Sequence, residues 1–202
     1  MTPDEAWRTL TEGNRRFAED RAERPNADLG TRRAAVAGQA PFAAVLGCSD
    51  SRVAAELVFD RGLGDLFVVR TAGHVVDTAV LGSLEFAVDA LGVALVVVLG
   101  HHSCGAVAAA VATDAGGPAP GGFVRDVVDL VTPSVHEAAG RGRSQVDEVV
   151  RTHAEVTAHA LLARSDVLRE RTDGGGLGVV AAAYDLAEGV VAPVWSRGVT
   201  TT

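Results

Sequence analysis

Apolar and polar positions follow two different periods along the chain. Three short, valine-rich runs, at 41–48, 65–73 and 94–101, each end in glycine or a polar residue. Runs of this kind predict strands that are buried on both faces of a sheet. Two later runs, at 177–187 and 189–196, predict a strand pair at a sheet edge, where the proline of the second run is tolerated.

Helical patterns separate these runs. Residues 75–91 carry apolar side chains at spacings of three and four, which predicts a helix packed on a sheet and completes a strand–helix–strand unit. Residues 144–164 show a second helical stripe, with Ser144 as a candidate N-cap. Residues 3–20 show a third, in which a few apolar residues stand among charged ones. This alternation predicts an α/β fold.

Length and charge narrow the class of protein. The chain has 202 residues, enough for one domain with a sizeable core, so we expect a single domain over 1–202. The formal net charge is −8, and the 18 cationic residues are arginines scattered along the chain, so no basic stripe favours nucleic acid as a partner. No apolar leader opens the sequence and no apolar run approaches the length of about 18 residues that a membrane span needs. We therefore expect a cytoplasmic protein with no membrane partner.

Two cysteines and a histidine stand at predicted strand ends. Cys48 closes the first run, and the third run leads into His101 and Cys104. Because ligands collect at the carboxyl ends of parallel strands, the three side chains are expected to meet. Two thiolates and one imidazole form a catalytic zinc site with one open position. Buried free thiols, a redox pair and His102 in place of His101 are the alternatives that spacing leaves open.

An aspartate and an arginine follow the first cysteine closely. Asp50 and Arg52 lie two and four residues beyond Cys48, so the carboxylate must stand near any metal that the cysteine binds. Such an aspartate can coordinate the metal, or it can turn to the arginine and accept two hydrogen bonds. An exposed ion pair without a function is the remaining interpretation.

Five motifs together resemble the β-class carbonic anhydrases. They are AWRTLTEGNRRF (6–17), CSDSRV (48–53), FVVRTAGHVV (67–76), GSLEFAV (82–88) and GHHSCGA (100–106). The resemblance covers essentially the whole chain. It implies a mostly parallel β-sheet flanked by helices, in a protein that assembles as a homodimer or homotetramer. It also implies an N-terminal helical arm, 1–37, that packs on a partner subunit, and a zinc-binding α/β core, 38–202.

The resemblance implies a role for each residue of the predicted metal site. The family's zinc ligands fall on Cys48, His101 and Cys104, which would hold one Zn²⁺ per chain. Its catalytic Asp/Arg dyad falls on Asp50 and Arg52.

Further positions match the family's substrate pocket. They are Gln39, Phe67, Phe86 and Gly105, of which the two phenylalanines correspond to an aromatic pair lining the pocket. Together with Gln39, Val45 favours the plant-like, open-site branch, because the bicarbonate-inhibited branch tends to carry tryptophan at that position.

The implied activity is the reversible hydration of carbon dioxide to bicarbonate and a proton, by attack of zinc-bound hydroxide. Two alternatives keep the same fold: hydrolysis of carbonyl sulfide or carbon disulfide, and a non-catalytic zinc-stabilised oligomer. The histidines of the later helical segments, His136, His153 and His159, are expected to take no part in the site.

Overall fold

A five-stranded sheet forms the centre of the molecule in the computed structural model, which describes residues 1–201. Its strands are β1 (Ala43–Cys48), β2 (Leu66–Thr71), β3 (Leu95–His101), β4 (Gly178–Tyr184) and β5 (Val191–Arg197). The strand order is β2-β1-β3-β4-β5, with the first four strands parallel and β5 antiparallel to β4. The predicted α/β fold with a mostly parallel sheet is confirmed, as is the edge pair formed by the last two strands.

Burial differs between the strands. Every residue of β1, β3 and β4 is buried, as the valine-rich runs predict. The prediction of burial on both faces is wrong for β2, whose residues are half-buried or exposed. This strand lies at the edge of the sheet, so it has a neighbouring strand on one side only.

Eight α-helices surround the sheet within the described residues. They are α1 (Pro3–Ala18), α2 (Leu29–Ala34), α3 (Ala55–Val58), α4 (Thr78–Asp89), α5 (Gly105–Asp114), α6 (Val124–Gly140), α7 (Val146–Arg164) and α8 (Asp166–Asp173). Helices α1 and α3 pack on one face of the sheet, and α4, α7 and α8 pack on the other. Helices α5 and α6 pack against α7 at the carboxyl ends of the strands. Among residues 1–201, no helix combines the length and the hydropathy required to cross a bilayer.

The predicted cap of α7 is corrected by one residue. Gln145, not Ser144, is the N-cap residue. The carboxylate of Glu148 accepts hydrogen bonds from the backbone N–H groups of both residues, each at 3.1 Å. This reach-back satisfies donors that the first turn of a helix leaves unpaired.

Helix α1 packs on its own chain. Thr2 and Glu5 form a capping box at its start, and Trp7 and Leu10 are buried in the same apolar cluster as the residues of β1 and β3. The Asn14 amide donates to the carbonyl oxygens at the end of α3 and before β5, and its oxygen accepts from the first N–H of β5 at 2.8 Å. The apolar face of α1 is therefore covered within one chain, and the expected packing of this helix on a partner subunit is not confirmed.

The rest of the arm, after α1, is largely exposed. Helix α2 buries no residue, and the segment 32–40 is exposed throughout. Packing of this part of the arm, 19–37, on a partner subunit stays a prediction.

Candidate metal centre

Parallel pairing brings the two metal-ligand motifs to one edge of the sheet. Gly47 of β1 pairs with Leu99 of β3, so both strands end side by side. Cys48 and His101 are the last residues of their strands, and Cys104 is the N-cap residue of α5. The three side chains are buried, and their Sγ and ring nitrogen atoms all lie within 4.8 Å of one another.

The histidine of this group has one nitrogen available. Its Nδ1 lies 2.9 Å from the carbonyl oxygen of His102. Because a carbonyl can only accept, Nδ1 carries the proton and Nε2 has a free lone pair. Nε2 is buried and has no hydrogen-bond partner among residues 1–201. A buried imidazole lone pair beside two sulfur atoms is the donor set that suits Zn²⁺.

The alternative ligand, His102, is directed elsewhere. Its Nδ1 lies 3.3 Å from a carboxylate oxygen of Asp185, and its backbone N–H donates to the carbonyl oxygen of Tyr184. The structure therefore favours His101 as the ligand.

The two thiols differ in acidity. A hydrogen bond from the Cys104 thiol holds the pKa of Cys48 well below its usual range, and the backbone N–H groups of Asp50 and Gly73 also donate to its sulfur, at 3.4 and 3.3 Å. The same contact with the Cys48 thiolate, together with burial, raises the pKa of Cys104. The pair thus retains one proton, which a metal ion would displace on binding both thiolates.

Asp50 is turned to its arginine. Arg52 donates from Nε to Oδ1 at 2.9 Å and from Nη2 to Oδ2 at 2.7 Å, a bidentate contact. These hydrogen bonds hold the pKa of Asp50 well below its usual range, so the carboxylate is ionised at neutral pH. Oδ2 also lies 3.9 Å from Nε2 of His101, so the carboxylate stands directly beside the ligand group without joining it.

Two further residues hold the loops of this site. Arg70 donates to the carbonyl oxygens of Cys48 and Asp50, at 2.8 and 2.6 Å. Asp147, at the start of α7, accepts from the backbone N–H of Ser103 at 2.7 Å. Neither role was predicted from the sequence. The motif FVVRTAGHVV contains Arg70, but no local pattern connects Asp147 to a loop 44 residues earlier.

Of the predicted pocket residues, only Gly105 lies beside the metal-ligand group. It is the first residue of α5 and follows Cys104 directly. It is exposed, while Cys104 before it is buried.

The other three predicted pocket residues lie elsewhere. Phe67 pairs with Ala44, four residues before the end of β1, which places it about 13 Å from Cys48 along the strand. Phe86, half-exposed on α4, has its ring centroid 6.2 Å from that of Phe67. Gln39 is exposed and precedes β1. A single chain does not bring these three side chains to its own metal-ligand group.

Comparisons with known proteins give one consistent result. The family model described as carbonic anhydrase matches residues 43–191. Carbonic anhydrase 2 of Mycobacterium tuberculosis is 53% identical over 187 residues, which cover 93% of this chain and 90% of that protein. The carbonic anhydrase of Mycolicibacterium smegmatis is 48% identical over 189 residues, covering 94% and 92%.

Solved structures match in fold. A tetrameric β-carbonic anhydrase of Sordaria macrospora superposes with a TM-score of 0.75 at 22% identity, covering 96% of this chain and 100% of that one. The β-carbonic anhydrase of Coccomyxa in complex with acetazolamide gives a TM-score of 0.71 at 27% identity, covering 91% and 84%. The arrangement of sheet and helices described above is thus shared with experimentally solved proteins.

Proposed function

Because this chain belongs to the β class of the carbonic anhydrase family and is a carbonic anhydrase, we propose that it hydrates carbon dioxide reversibly to bicarbonate and a proton, with one Zn²⁺ per chain. The observation that carries the proposal is the meeting of Cys48, His101 and Cys104 beside the ionised pair of Asp50 and Arg52. A catalytic zinc ion lowers the pKa of a coordinated water to about 7, which makes hydroxide available in neutral solution.

The metal ligands, Asp50 and Arg52 have separate roles in this reaction. Three protein ligands leave one coordination position for the small reactant. The Asp50 carboxylate, which can only accept hydrogen bonds, accepts one from the attacking oxygen and so directs a lone pair of that oxygen at carbon dioxide. Arg52 keeps the carboxylate ionised and turned away from the ligand group. With Asp50 held in this way, its carboxylate would leave the fourth coordination position of a bound Zn²⁺ to the reactant, in keeping with the open-site branch of the family.

The role of Asp50 is tested by Asp50→Asn, which preserves shape and removes the charge. Asp129→Asn is the matched control, because Asp129 is also paired with an arginine but stands on α6. We expect stopped-flow kcat/KM for carbon dioxide to fall about 100-fold or more in Asp50→Asn, with one zinc per chain retained in native mass spectra. Full activity in the variant would contradict the orienting role, and loss of zinc would make Asp50 a ligand.

We further propose that Gln39, Phe67 and Phe86 line the substrate pocket of a second copy of the chain in a homodimer or homotetramer. All three lie away from their own metal-ligand group, and Gln39 and Phe86 are exposed on a single chain. The half-exposed edge strand β2 supplies the surface that such an assembly would cover. In this arrangement each active site needs residues from two subunits.

Subunit complementation tests this proposal. Gln39→Ala and Asp50→Asn are each expected to be weakly active alone. When the two variants are dissociated, mixed and reassociated as dimers, random pairing should restore about a quarter of the wild-type sites, because one site of every mixed dimer is intact. No restored activity in verified mixed dimers would place Gln39 in the pocket of its own chain.

We propose the cytoplasm as the site of action. Both cysteines of the chain belong to the metal-ligand group and neither forms a disulfide. A reducing compartment keeps such thiols available for metal binding. Mass spectrometry of alkylated protein from freshly lysed cells tests this, with oxidised Cys48 or Cys104 as the contrary result.

A further inference from the structure

Behind the metal-ligand group lies a buried hydrogen-bonded chain that connects two helices to one backbone residue. Ser134 of α6 and His153 of α7 are almost fully buried, with 1% and 3% of their surface exposed. The Oγ of Ser134 lies 2.8 Å from Nδ1 of His153, and Nε2 of His153 lies 2.9 Å from the carbonyl oxygen of Gly73. A carbonyl only accepts, so Nε2–H donates to it, and Nδ1 in turn accepts the hydroxyl proton of Ser134.

Gly73 is held from both of its backbone groups. Its carbonyl oxygen accepts from His153, and its N–H donates to Sγ of Cys48 at 3.3 Å. Its φ of 64° is left-handed, and the next residue, His74, also has a positive φ of 44°. A Cβ added at Gly73 would stand 2.9 Å from that of Ala106. Two successive left-handed residues are an unfavourable turn that surrounding contacts must maintain.

The histidine ring of α7 contacts this turn in two ways. The ring centroids of His74 and His153 lie 4.5 Å apart, so His153 both packs on the turn and hydrogen-bonds to it. A helix that merely packed here would present an apolar side chain, since burying an imidazole and a hydroxyl has a desolvation cost. That desolvation cost is offset because the Ser134 hydroxyl and both ring nitrogens of His153 are hydrogen-bonded, to each other and to the carbonyl oxygen of Gly73.

We propose that His153 and Ser134 are positioning residues for the metal ligand Cys48, acting through Gly73. An N–H···S hydrogen bond withdraws negative charge from a thiolate and so sets how strongly the sulfur donates to a metal ion. Without the donor at His153, the buried carbonyl of Gly73 loses its partner, the left-handed turn relaxes, and its N–H moves away from the sulfur. This assignment rests on the proposed metal site and is independent of which substrate the site takes.

The test uses the full-length protein with cobalt(II) in place of zinc, together with zinc affinity measured by competition with a chelator. His153→Phe keeps a ring for packing but removes both hydrogen bonds. Thr152→Val is the matched control, because Thr152 is fully buried on the same helix and hydrogen-bonds only to the carbonyl oxygen of Glu148. We expect His153→Phe to shift the thiolate-to-cobalt absorption band and to weaken zinc binding about 10- to 100-fold, with the control unchanged in both.

Two milder variants keep the test decisive if His153→Phe fails to fold. In Ser134→Ala the hydroxyl that donates to Nδ1 is lost while Nε2–H can still donate to Gly73, so the ring keeps one of its two hydrogen bonds, and we expect a smaller shift of the cobalt band in the same direction. His153→Gln retains an amide donor for Gly73 and should restore part of the affinity. A lowered melting temperature with wild-type cobalt spectrum and zinc affinity in both variants would overturn the positioning role. A wild-type protein that binds neither metal would instead refute the proposed function.

Discussion

Acid should destabilise this protein through a buried histidine. Burial lowers the pKa of His153 to about 4 in the folded chain, against about 6.5 for a histidine in the unfolded chain. Below pH 6.5 the unfolded state therefore binds a proton that the folded state does not. The free energy of unfolding is fully retained above pH 6.5 and falls as the pH is lowered from there to about 4.

The size of this acid destabilisation follows from the difference between the folded and unfolded pKa of His153. Each pKa unit corresponds to about 1.4 kcal/mol, so a shift of about 2.5 units removes about 3 kcal/mol from the free energy of unfolding by pH 4. This is a large part of the 5–15 kcal/mol, roughly, that stabilises an ordinary domain. Burial also lowers the pKa of His74, with the same sign, so the two buried rings act together.

Urea denaturation of the metal-free protein at a series of pH values isolates the contribution of His153, because any difference in zinc affinity between the variants is then removed. At pH 7.5 we expect His153→Phe to be less stable than the wild type, because the Gly73 carbonyl loses its partner. Since phenylalanine takes up no proton, this stability gap should close by about 3 kcal/mol as the pH falls from 6.5 to 4. His159→Phe, at an exposed position on the same helix, is the control and should keep the wild-type pH dependence. Parallel curves for the wild type and His153→Phe would refute the reasoning.

Three other substitutions or treatments give further predictions. Gly13→Ala should lower the free energy of unfolding by about 2 kcal/mol or more, because the added Cβ would overlap the backbone carbonyl group of Phe59 at the end of α3. Gly82→Ala, with open space around it, should be neutral or stabilising in the same denaturation assay. Arg52→Lys keeps the positive charge but loses the bidentate contact with Asp50, so stopped-flow kcat/KM should fall about tenfold with zinc content unchanged. A variant as active as the wild type would show that the bidentate contact is not needed. After zinc removal, iodoacetamide at pH 6 should alkylate Cys48 ahead of Cys104, since the pKa of Cys48 is lowered and that of Cys104 is raised, and peptide mass mapping that finds equal labelling would contradict this order.

The sequence by itself was sufficient for the strands, most of the long helices and the ligand group. A valine-rich run reports a buried strand directly, and the carboxyl ends of neighbouring parallel strands must share one edge. For that reason Cys48 and His101, 53 positions apart, could be placed together before any coordinates were available. Asp50 and Arg52 followed because two and four residues cannot carry a side chain far from Cys48.

Helix α6 shows where local pattern fails. Pro133 lies inside it, and a proline normally indicates the end of a helix. Its ring is exposed, while residues on the opposite face of the helix pack on α5 and α7. Tertiary packing therefore maintains a helix that intrinsic propensity disfavours.

Only the tertiary structure decided what each apolar face and each buried polar group contacts. Periodicity shows that a face is buried, but it does not identify the surface that covers it, and only the structure shows that α1 packs on the sheet of its own chain. The same limit applies to Phe67. The motif predicts that it lines a pocket, whereas the register places it on β2 beside Ala44, at the opposite end of β1 from Cys48. The contact between His153 and Gly73 joins residues 80 positions apart through a single hydrogen bond, and such a contact leaves no periodic signal in a sequence.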